Sequence, residues 1–296
     1  MREPVFRGAA TALVTPFTPT GGVNYKKLEE LLEFQIDQGI DAVVILGTTG
    51  ESPTLPIDEH IEVIERAVKM VHGRVPLIAG AGSNCTAEAV EQTRRCEEAG
   101  ADALLSVTPY YNKTTQKGLV AHFSAIAEAT SLPIIIYNVP SRTGLNVTPE
   151  TAAELSRIPN YIGIKECNIE QMGTMKSLVE PDFCLYTGED AQLIPTLAWG
   201  GLGVISVLSN VVPRETHEVT ERWFAGDFDG ARELAMRTLP LIKALFAEVN
   251  PIPVKAAMNL LGWELGVPRL PLVDASPATM ALLETALREF GVPARS

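Results

Sequence analysis

A lysine lies inside a segment that otherwise has the composition of a buried strand. The segment reads NYIGIKECN, and Lys165 follows Ile162, Gly163 and Ile164 within it. Burial disfavours the ammonium form and lowers the pKa of a lysine, so a buried amine can be partly neutral near neutral pH and attack a ketone. The alternative is a strand-end lysine that extends to solvent or pairs with a carboxylate such as Glu166.

The alternation of side chains along a strand predicts where Lys165 points. Tyr161, Gly163 and Lys165 should share one face of the strand, while Ile162 and Ile164 pack against helices on the other. Gly163 has no side chain, so we expect it to leave room for a bound ketone beside the amine. Lys165 is therefore a candidate nucleophile.

Polar groups that suit this chemistry end two other apolar segments. A Schiff base requires a proton donor and acceptor to expel water from the carbinolamine, and the phenol of Tyr137 can serve unless it only fills the interior. Thr48 and Thr49 could hold a carboxylate or relay protons to Tyr137, or they could simply cap a turn. Arg142, in VPSRTG, has a planar guanidinium that suits a carboxylate, although a lone loop arginine is more often a surface charge.

Apolar segments rich in Val, Ile and Leu recur along the chain, and each precedes a segment of helical periodicity. Eight such segments occur, at residues 8–17, 41–51, 75–83, 101–111, 132–144, 160–168, 183–190 and 201–210. Apolar strands that alternate with helices indicate a parallel sheet, and eight units predict an α/β fold, the closed (β/α)8 TIM barrel. A doubly wound sheet is the competing fold, but TPFTPTGG lacks the glycine-rich nucleotide turn expected after its first strand.

The pattern changes towards the C-terminus. Residues 25–38 and 58–72 read as amphipathic helices between strands, the first with Leu28, Leu31, Leu32 and Ile36 on one face and the second with Asp58 as its N-cap. After residue 222 the strand pattern stops, and helical patterns occupy residues 227–248, 253–261 and 277–290. We therefore predict a catalytic barrel at 1–225 and a C-terminal helical appendage at 226–296, with the candidate residues at the C-terminal face of the barrel.

Composition excludes several classes of function. The 36 acidic and 24 basic residues give a net charge of -12, which repels nucleic acid and anionic lipid surfaces. No apolar run approaches the ~20 residues that a membrane-spanning helix needs, so we expect a cytoplasmic protein. The four histidines and four cysteines lack the spacing of a metal-ligand set, which predicts no metal and leaves the histidines as surface or interface residues.

Five motifs together resemble the dihydrodipicolinate synthase family of class I, pyruvate-dependent lyases. They are GTTGE (47–51), TPYYNK (108–113), YNVPSRTG (137–144), GIKE (163–166) and YTGED (186–190), and the resemblance continues to NPIPVKAAMNLLG (250–262). It implies a barrel enzyme that condenses pyruvate with L-aspartate-4-semialdehyde on the diaminopimelate route to lysine, without a cofactor. It also implies a homotetramer built as a dimer of dimers.

The resemblance assigns roles to the catalytic candidates. Lys165 would form a Schiff base with pyruvate, and Tyr137 would move protons to and from it. Thr48 would link Tyr137 to Tyr111, which in this family reaches into the active site of the neighbouring subunit.

The resemblance also assigns substrate contacts. Thr49 would bind the pyruvate carboxylate and Arg142 the carboxylate of the semialdehyde. Gly188 and Ile205 would line the pocket through backbone groups.

Related functions remain as alternatives. Other pyruvate Schiff-base lyases, such as N-acetylneuraminate lyase or 2-keto-3-deoxy sugar acid aldolases, use the same lysine and tyrosine. Arg142 favours a second short carboxylate substrate over a sugar, for which neutral hydrogen-bonding groups are expected. An amino-acid sensor that kept the barrel without turnover is a further alternative.

The family resemblance also suggests regulation by lysine. Lysine-inhibited members bind lysine in a cleft at the tight dimer interface, and the matching positions here are Ser52, Pro53, His60, Asn84, Glu88 and Tyr110. Ile57 stands where some members have a histidine. Partial inhibition by lysine is the resulting hypothesis, with ordinary interface residues as the alternative.

Overall fold

The computed structural model describes residues 2–292, which contain a closed barrel of eight parallel strands. The strands are β1 (Gly8–Ala12), β2 (Ala42–Ile45), β3 (Leu77–Gly80), β4 (Ala103–Val107), β5 (Ile134–Asn138), β6 (Tyr161–Glu166), β7 (Cys184–Thr187) and β8 (Gly203–Ser206). Each strand pairs with its neighbours in chain order, and β1 pairs with β8. The predicted (β/α)8 fold is confirmed, while Met1 and residues 293–296 of the two predicted domains lie outside the described residues.

The barrel strands are apolar on both faces because each face is buried against a different layer. Val44 and Ile135 belong to the core inside the barrel. Their neighbours Val43 and Ile134 belong to the larger core between strands and helices. Successive side chains on a strand point in opposite directions, so burial on both sides requires a continuous apolar run. This is the pattern by which the sequence predicts a parallel sheet.

Twelve helices occur within residues 2–292. Nine accompany the barrel: α1 (Tyr25–Asp37), α2 (Ile57–Val71), α3 (Thr86–Glu98), α4 (Gln116–Ala127), α5 (Pro140–Thr143), α6 (Pro149–Leu155), α7 (Met172–Leu178), α8 (Leu193–Ala198) and α9 (Pro213–Phe224). Three more form the appendage: α10 (Phe228–Leu245), α11 (Ile252–Leu260) and α12 (Pro277–Phe290). None of the twelve has both the length and the apolar composition that crossing a membrane requires.

Helix α1 forms where its periodicity predicts. Asn24 caps it by accepting a hydrogen bond from the backbone N–H of Lys27, and Leu28 lies on the buried face. Gln35 is also buried, which apolar periodicity did not predict. Its amide group is satisfied by the hydroxyl of Thr11 and the carbonyl of Ser209, so its burial costs no unpaired polar group.

The predicted N-cap of the second helix was wrong. Helix α2 begins at Ile57, Pro56 occupies the cap position, and Asp58 lies in the first turn. Asp58 instead pairs with Arg95 of α3 at 2.9 Å. A carboxylate in the first turn still interacts favourably with the positive end of the helix dipole.

The appendage packs directly on the barrel helices. Helix α10 contacts α8 and α9, and Asp227 caps it by accepting from the N–H of Gly230 at 3.0 Å. The predicted boundary after residue 225 falls between α9 and α10, and the division into domains at this point stays a prediction.

Tyr161 does not share a face with Lys165, which corrects the prediction from strict alternation. Strands β5 and β6 pair with a register shift near their N-terminal ends. Tyr161 and Ile164 belong to the outer core, and the Tyr161 hydroxyl donates to the carbonyl of Phe123 at 2.7 Å. Ile162 belongs to the inner core. The register shift therefore changes which side chains point into the barrel at the start of β6. Only the residues from Ile164 to the end of the strand alternate as predicted.

A histidine and a carboxylate join α9 to the N-terminal end of the barrel. Asp41 Oδ2 accepts from His217 Nδ1 at 2.8 Å and from the backbone N–H of Ala9 at 2.8 Å. The hydrogen bond to Asp41 raises the pKa of His217, against the smaller effect of burial. The charged imidazolium is therefore favoured in the folded state.

We predict that His217→Ala lowers the free energy of unfolding by about 1 kcal/mol more at about pH 5.5 than at about pH 8.5. The folded pKa is raised, so this contribution is complete below the unfolded pKa of about 6.5 and is lost as pH rises through the folded pKa. Urea unfolding of both proteins at fixed protein concentration measures it. His72→Asn, at an exposed histidine in the left-handed conformation, is the control. An equal loss at both pH values would contradict the prediction.

Candidate active site

Lys165 and Tyr137 lie side by side on adjacent strands. The register of β5 and β6 places the two residues opposite each other, and Lys165 Nζ lies 4.3 Å from the centroid of the Tyr137 ring. Both side chains are buried. Burial lowers the pKa of Lys165, and the nearby acidic groups of Cys167 and Glu189 partly oppose this effect. The amine therefore deprotonates more readily than a solvent-exposed lysine, as a nucleophile requires.

Gly188, after β7, makes room for the Lys165 side chain. A Cβ atom at Gly188 would lie 2.7 Å from Lys165 Cε and would also overlap the thiol of Cys167. Gly163 has a different role from the one predicted, because a Cβ atom there would lie 2.5 Å from the carbonyl oxygen of Cys184. Gly163 therefore permits the close approach of β6 and β7, and the space beside the amine comes from Gly188.

The side chain of Thr48 lies beside the Tyr137 phenol. Burial raises the pKa of Tyr137, and the hydrogen bond with the Thr48 side chain opposes that rise. The phenol is consequently protonated at neutral pH and has a hydroxyl partner for proton exchange.

Glu166 is not the partner of Lys165. It lies on the opposite side of β6, where the Asn138 side-chain amide donates to both of its carboxylate oxygens at 2.9 and 3.0 Å. Gln171 Nε2 and the N–H of Asn168 donate at 2.9 and 2.6 Å. Burial raises the pKa of Glu166 to about 7, although these hydrogen bonds oppose it. This cluster joins the residues that follow Tyr137 and Lys165, and it fixes the ends of the two strands.

Thr49 and Arg142 meet at a residue from the appendage. Asn250 Nδ2 donates to Thr49 Oγ1 at 2.9 Å, and the backbone carbonyl of Asn250 accepts from Arg142 Nη2 at 3.1 Å. No sequence pattern identified Asn250 as a site residue. The only signal was its place at the start of NPIPVKAAMNLLG, which contributed to the family resemblance.

A cavity of about 800 Å³ opens at the C-terminal end of the barrel and connects two sets of predicted residues. Thr48, Tyr137 and Arg142 line it at one end. The proposed lysine-site residues Ser52, Pro53, His60, Glu88 and Tyr110 line it as well, and Asn84 adjoins it through a hydrogen bond to the carbonyl of Tyr110 at 3.1 Å.

This cavity is not lined by Lys165, Thr49, Gly188, Tyr111 or Ile205. Tyr111 is 90% exposed and has a φ of 69°, in the left-handed region. Ile205 is buried in β8 opposite Ala10 and belongs to the inner core. The chain alone does not bring Tyr111 to Tyr137.

Two of the four histidines, all predicted to be surface or interface residues, are buried within the single chain. His60 and His122 are buried, and burial lowers the pKa of His60 to about 4. Within residues 2–292 no group of three His, Cys, Asp or Glu side chains could hold a metal ion.

Comparison with known proteins identifies close relatives along the whole chain. The sequence model of the Dihydrodipicolinate synthetase family matches residues 5–289. A protein of Acetivibrio thermocellus named 4-hydroxy-tetrahydrodipicolinate synthase is 53% identical over 292 residues, which cover 99% of this chain and 100% of that protein.

Solved structures agree in fold and sequence. Dihydrodipicolinate synthase from Cyanidioschyzon merolae with lysine bound has a TM-score of 0.95 and 42% identity, with 98% of this chain and 100% of that chain covered. The chloride-inhibited dihydrodipicolinate synthase from Acinetobacter baumannii complexed with pyruvate has a TM-score of 0.94 and 40% identity, with 97% and 99% covered.

We predict that Gly188→Ala slows the reductive trapping of pyruvate on Lys165 about a hundredfold, because the added methyl group displaces the amine. Mass spectrometry after borohydride treatment measures the rate of trapping. Gly22→Ala is the control, since its Cβ atom would meet only Thr18 Oγ1 at 3.6 Å. Trapping at the wild-type rate in Gly188→Ala would show that the close contact does not restrict Lys165.

Proposed function

The chain belongs to the dihydrodipicolinate synthetase family, and we propose from this that it is a 4-hydroxy-tetrahydrodipicolinate synthase. It condenses pyruvate with L-aspartate-4-semialdehyde on the diaminopimelate route to lysine. The observation that carries the proposal is the buried amine of Lys165, 4.3 Å from the ring of Tyr137 at the end of adjacent barrel strands. No cofactor enters the reaction.

Formation of the Schiff base uses Lys165 and Tyr137. The neutral amine attacks the keto carbon of pyruvate and gives a carbinolamine. Tyr137 donates a proton to the carbinolamine hydroxyl, which leaves as water when the C=N bond forms. The phenol, whose pKa is raised by burial, recovers its proton readily. Thr48 passes that proton to Tyr137.

The bond-forming steps follow from the imine. Loss of a proton from the pyruvate methyl group gives an enamine, whose carbon attacks the aldehyde of the semialdehyde substrate. The amino group of that substrate then attacks the imine carbon and closes the ring, and the C–N bond to Lys165 breaks. The enzyme is thereby returned with its free amine.

The substrate carboxylates have separate partners. Thr49 binds the pyruvate carboxylate, with backbone groups of Gly188 and Ile205 lining the pocket. Arg142 binds the semialdehyde carboxylate through its planar guanidinium, which lines the cavity. A cation at this position favours the short acidic substrate over the hydroxyl-bearing sugars of related lyases.

A homotetramer made of two tight dimers would complete the site. Tyr111 is almost fully exposed in the single chain and its backbone is in the left-handed region, which is unusual for a tyrosine. Packing against a second copy would bury it and would bring the partner subunit's Tyr111 towards Thr48. The proton path from Tyr137 would then continue to solvent across the subunit interface. We place the enzyme in the cytoplasm.

Lysine regulates the enzyme in this proposal by binding at the far end of the cavity. Glu88 supplies a carboxylate for the ligand's ammonium group. The hydroxyl of Ser83 already donates a hydrogen bond to that carboxylate at 2.8 Å. The relative from Cyanidioschyzon merolae has been solved with lysine bound, which supports the proposal. Ile57 provides no hydrogen bond where some family members have histidine, which weakens the binding of lysine. The inhibition in this proposal is partial.

Reductive trapping tests the chemistry. With pyruvate and borohydride, peptide mapping should place the added mass on Lys165, and Lys165→Ala should abolish it. Lys69→Ala, at an exposed lysine of α2, is the control and should be labelled as the wild type. Label on any other residue would refute the site assignment.

Substrate consumption distinguishes the synthase from its alternatives. With pyruvate present, we expect the enzyme to consume aspartate semialdehyde and leave N-acetylmannosamine unchanged. Consumption of only the sugar would refute the substrate assignment. A protein that consumes neither and still binds amino acids would indicate a sensor.

Lysine titration tests the regulatory proposal. The condensation rate should fall to a plateau above zero as lysine rises into the millimolar range. Glu88→Gln should raise the half-inhibitory concentration about tenfold, because a hydrogen bond between two charged groups is lost. Glu91→Gln, in the same cavity, is the matched control. A flat rate across this range would eliminate the proposal.

A further inference from the structure

One residue of the C-terminal appendage contacts two substrate-binding residues of the barrel. Asn250 directly precedes α11 and is 7% exposed. Its side-chain amide donates to Thr49 Oγ1, 201 positions earlier in the chain. Its backbone carbonyl accepts from the guanidinium of Arg142. The side chain and the backbone of Asn250 therefore serve different partners.

The direction of the first hydrogen bond determines what the Thr49 hydroxyl can do. A threonine hydroxyl has one hydrogen and accepts through its lone pairs. Because the Asn250 N–H already occupies an acceptor position on Thr49 Oγ1, the hydroxyl hydrogen stays available to a third group. An anion such as a carboxylate accepts hydrogen bonds and offers none. Thr49 is thus held as a donor, which is the form that binds pyruvate in the proposed function.

The other end of the Asn250 amide supports a role beyond packing. Asn250 Oδ1 is buried and has no hydrogen-bond partner among residues 2–292. A buried, unpaired acceptor is unfavourable, and an apolar residue at this position would avoid it. An asparagine is nevertheless present, with one amide atom unpaired and the other bonded to Thr49. This favours a role for the amide at Thr49.

A second contact holds the same loop. Glu51 ends the GTTGE motif and is buried with Lys255 of α11, their Oε1 and Nζ atoms 2.8 Å apart. The other carboxylate oxygen of Glu51 accepts from the backbone N–H of Arg269 at 2.8 Å. Glu51 has a φ of 59°, so the loop turns sharply there. The appendage thus fixes the loop just after Thr49, and the Asn250 amide meets a hydroxyl whose backbone is already held.

We infer that Asn250 is a positioning residue, which acts through Thr49 to orient its hydroxyl towards the pyruvate carboxylate, while its backbone carbonyl orients Arg142. The inference rests on the proposed function, because it assigns pyruvate to Thr49 and the semialdehyde to Arg142. Replacement of the side chain leaves the backbone carbonyl in place. Side-chain variants should therefore affect one substrate and spare the other.

Steady-state kinetics with each substrate varied in turn tests this separation. Asn250→Ala should raise the KM for pyruvate about tenfold and change the KM for aspartate semialdehyde less than about twofold. Asn250→Asp, close in shape, should raise the KM for pyruvate further, because its carboxylate accepts the Thr49 hydrogen and repels the substrate. Asn259→Ala is the matched control, since among residues 2–292 the Asn259 side chain forms hydrogen bonds with Gly266 and Leu265 of the appendage and none with the barrel.

A double-mutant cycle distinguishes action through Thr49 from a general structural effect. In a Thr49→Val background, Asn250→Ala should cause no further rise in the KM for pyruvate. Additive effects, or an equal rise in both KM values, would overturn the inference. If Asn250→Ala does not fold, the same cycle is run with Asn250→Leu, which is close in size to asparagine and adds no charge that could act on the substrate directly.

The wild-type protein separates this inference from the proposed function. If borohydride traps pyruvate on Lys165 and the two substrates are consumed, but the Asn250 variants keep the wild-type KM for pyruvate, only the role of Asn250 is wrong. If the wild type does not trap pyruvate, the proposed function fails first.

Discussion

The proposed chemistry of this protein depends on keeping one amine, that of Lys165, away from water without pairing it with a carboxylate. Lys165 lies at the end of β6, where burial lowers its pKa and the ring of Tyr137 covers it on one side. A direct salt bridge would have stabilised the ammonium form and removed the nucleophile. The adjacent carboxylate, Glu166, lies on the other side of the strand and is occupied by Asn138 and Gln171.

Lys165 and the strand ends around it need different surroundings, which could not both be met at one position. The amine needs a low-polarity environment, whereas the strand ends need polar groups to terminate and fix them. The alternation of the strand satisfies both, because the polar cluster at Glu166 forms outside the barrel while Lys165 stays inside. Gly188 supplies the space that the amine occupies. Hydrogen bonds from Asn138 and Gln171 to Glu166 thus hold both strand ends, while Lys165 forms no ion pair with a side chain of residues 2–292.

The appendage completes the site from a distance in the chain. The loop that carries Thr48 and Thr49 is held by Asn250 and by the buried pair of Glu51 and Lys255. A buried ion pair adds little net stability, because the cost of removing both charges from water offsets most of their attraction. Through this pair and Asn250, the helical appendage contacts the loop that carries Thr48 and Thr49 at two points.

The sequence by itself determined the barrel and the candidate residues, because parallel strands buried on both faces require continuous apolar segments and the loops after them carry the polar groups. Local periodicity did not determine which face of β6 carries Tyr161, since the register shift depends on pairing with the neighbouring strand. It also could not identify the partner of Glu166 or the role of Gly188, which depend on contacts between strands. Asn250 and Thr49 are 201 residues apart, and only the packing of the appendage on the barrel brings them together.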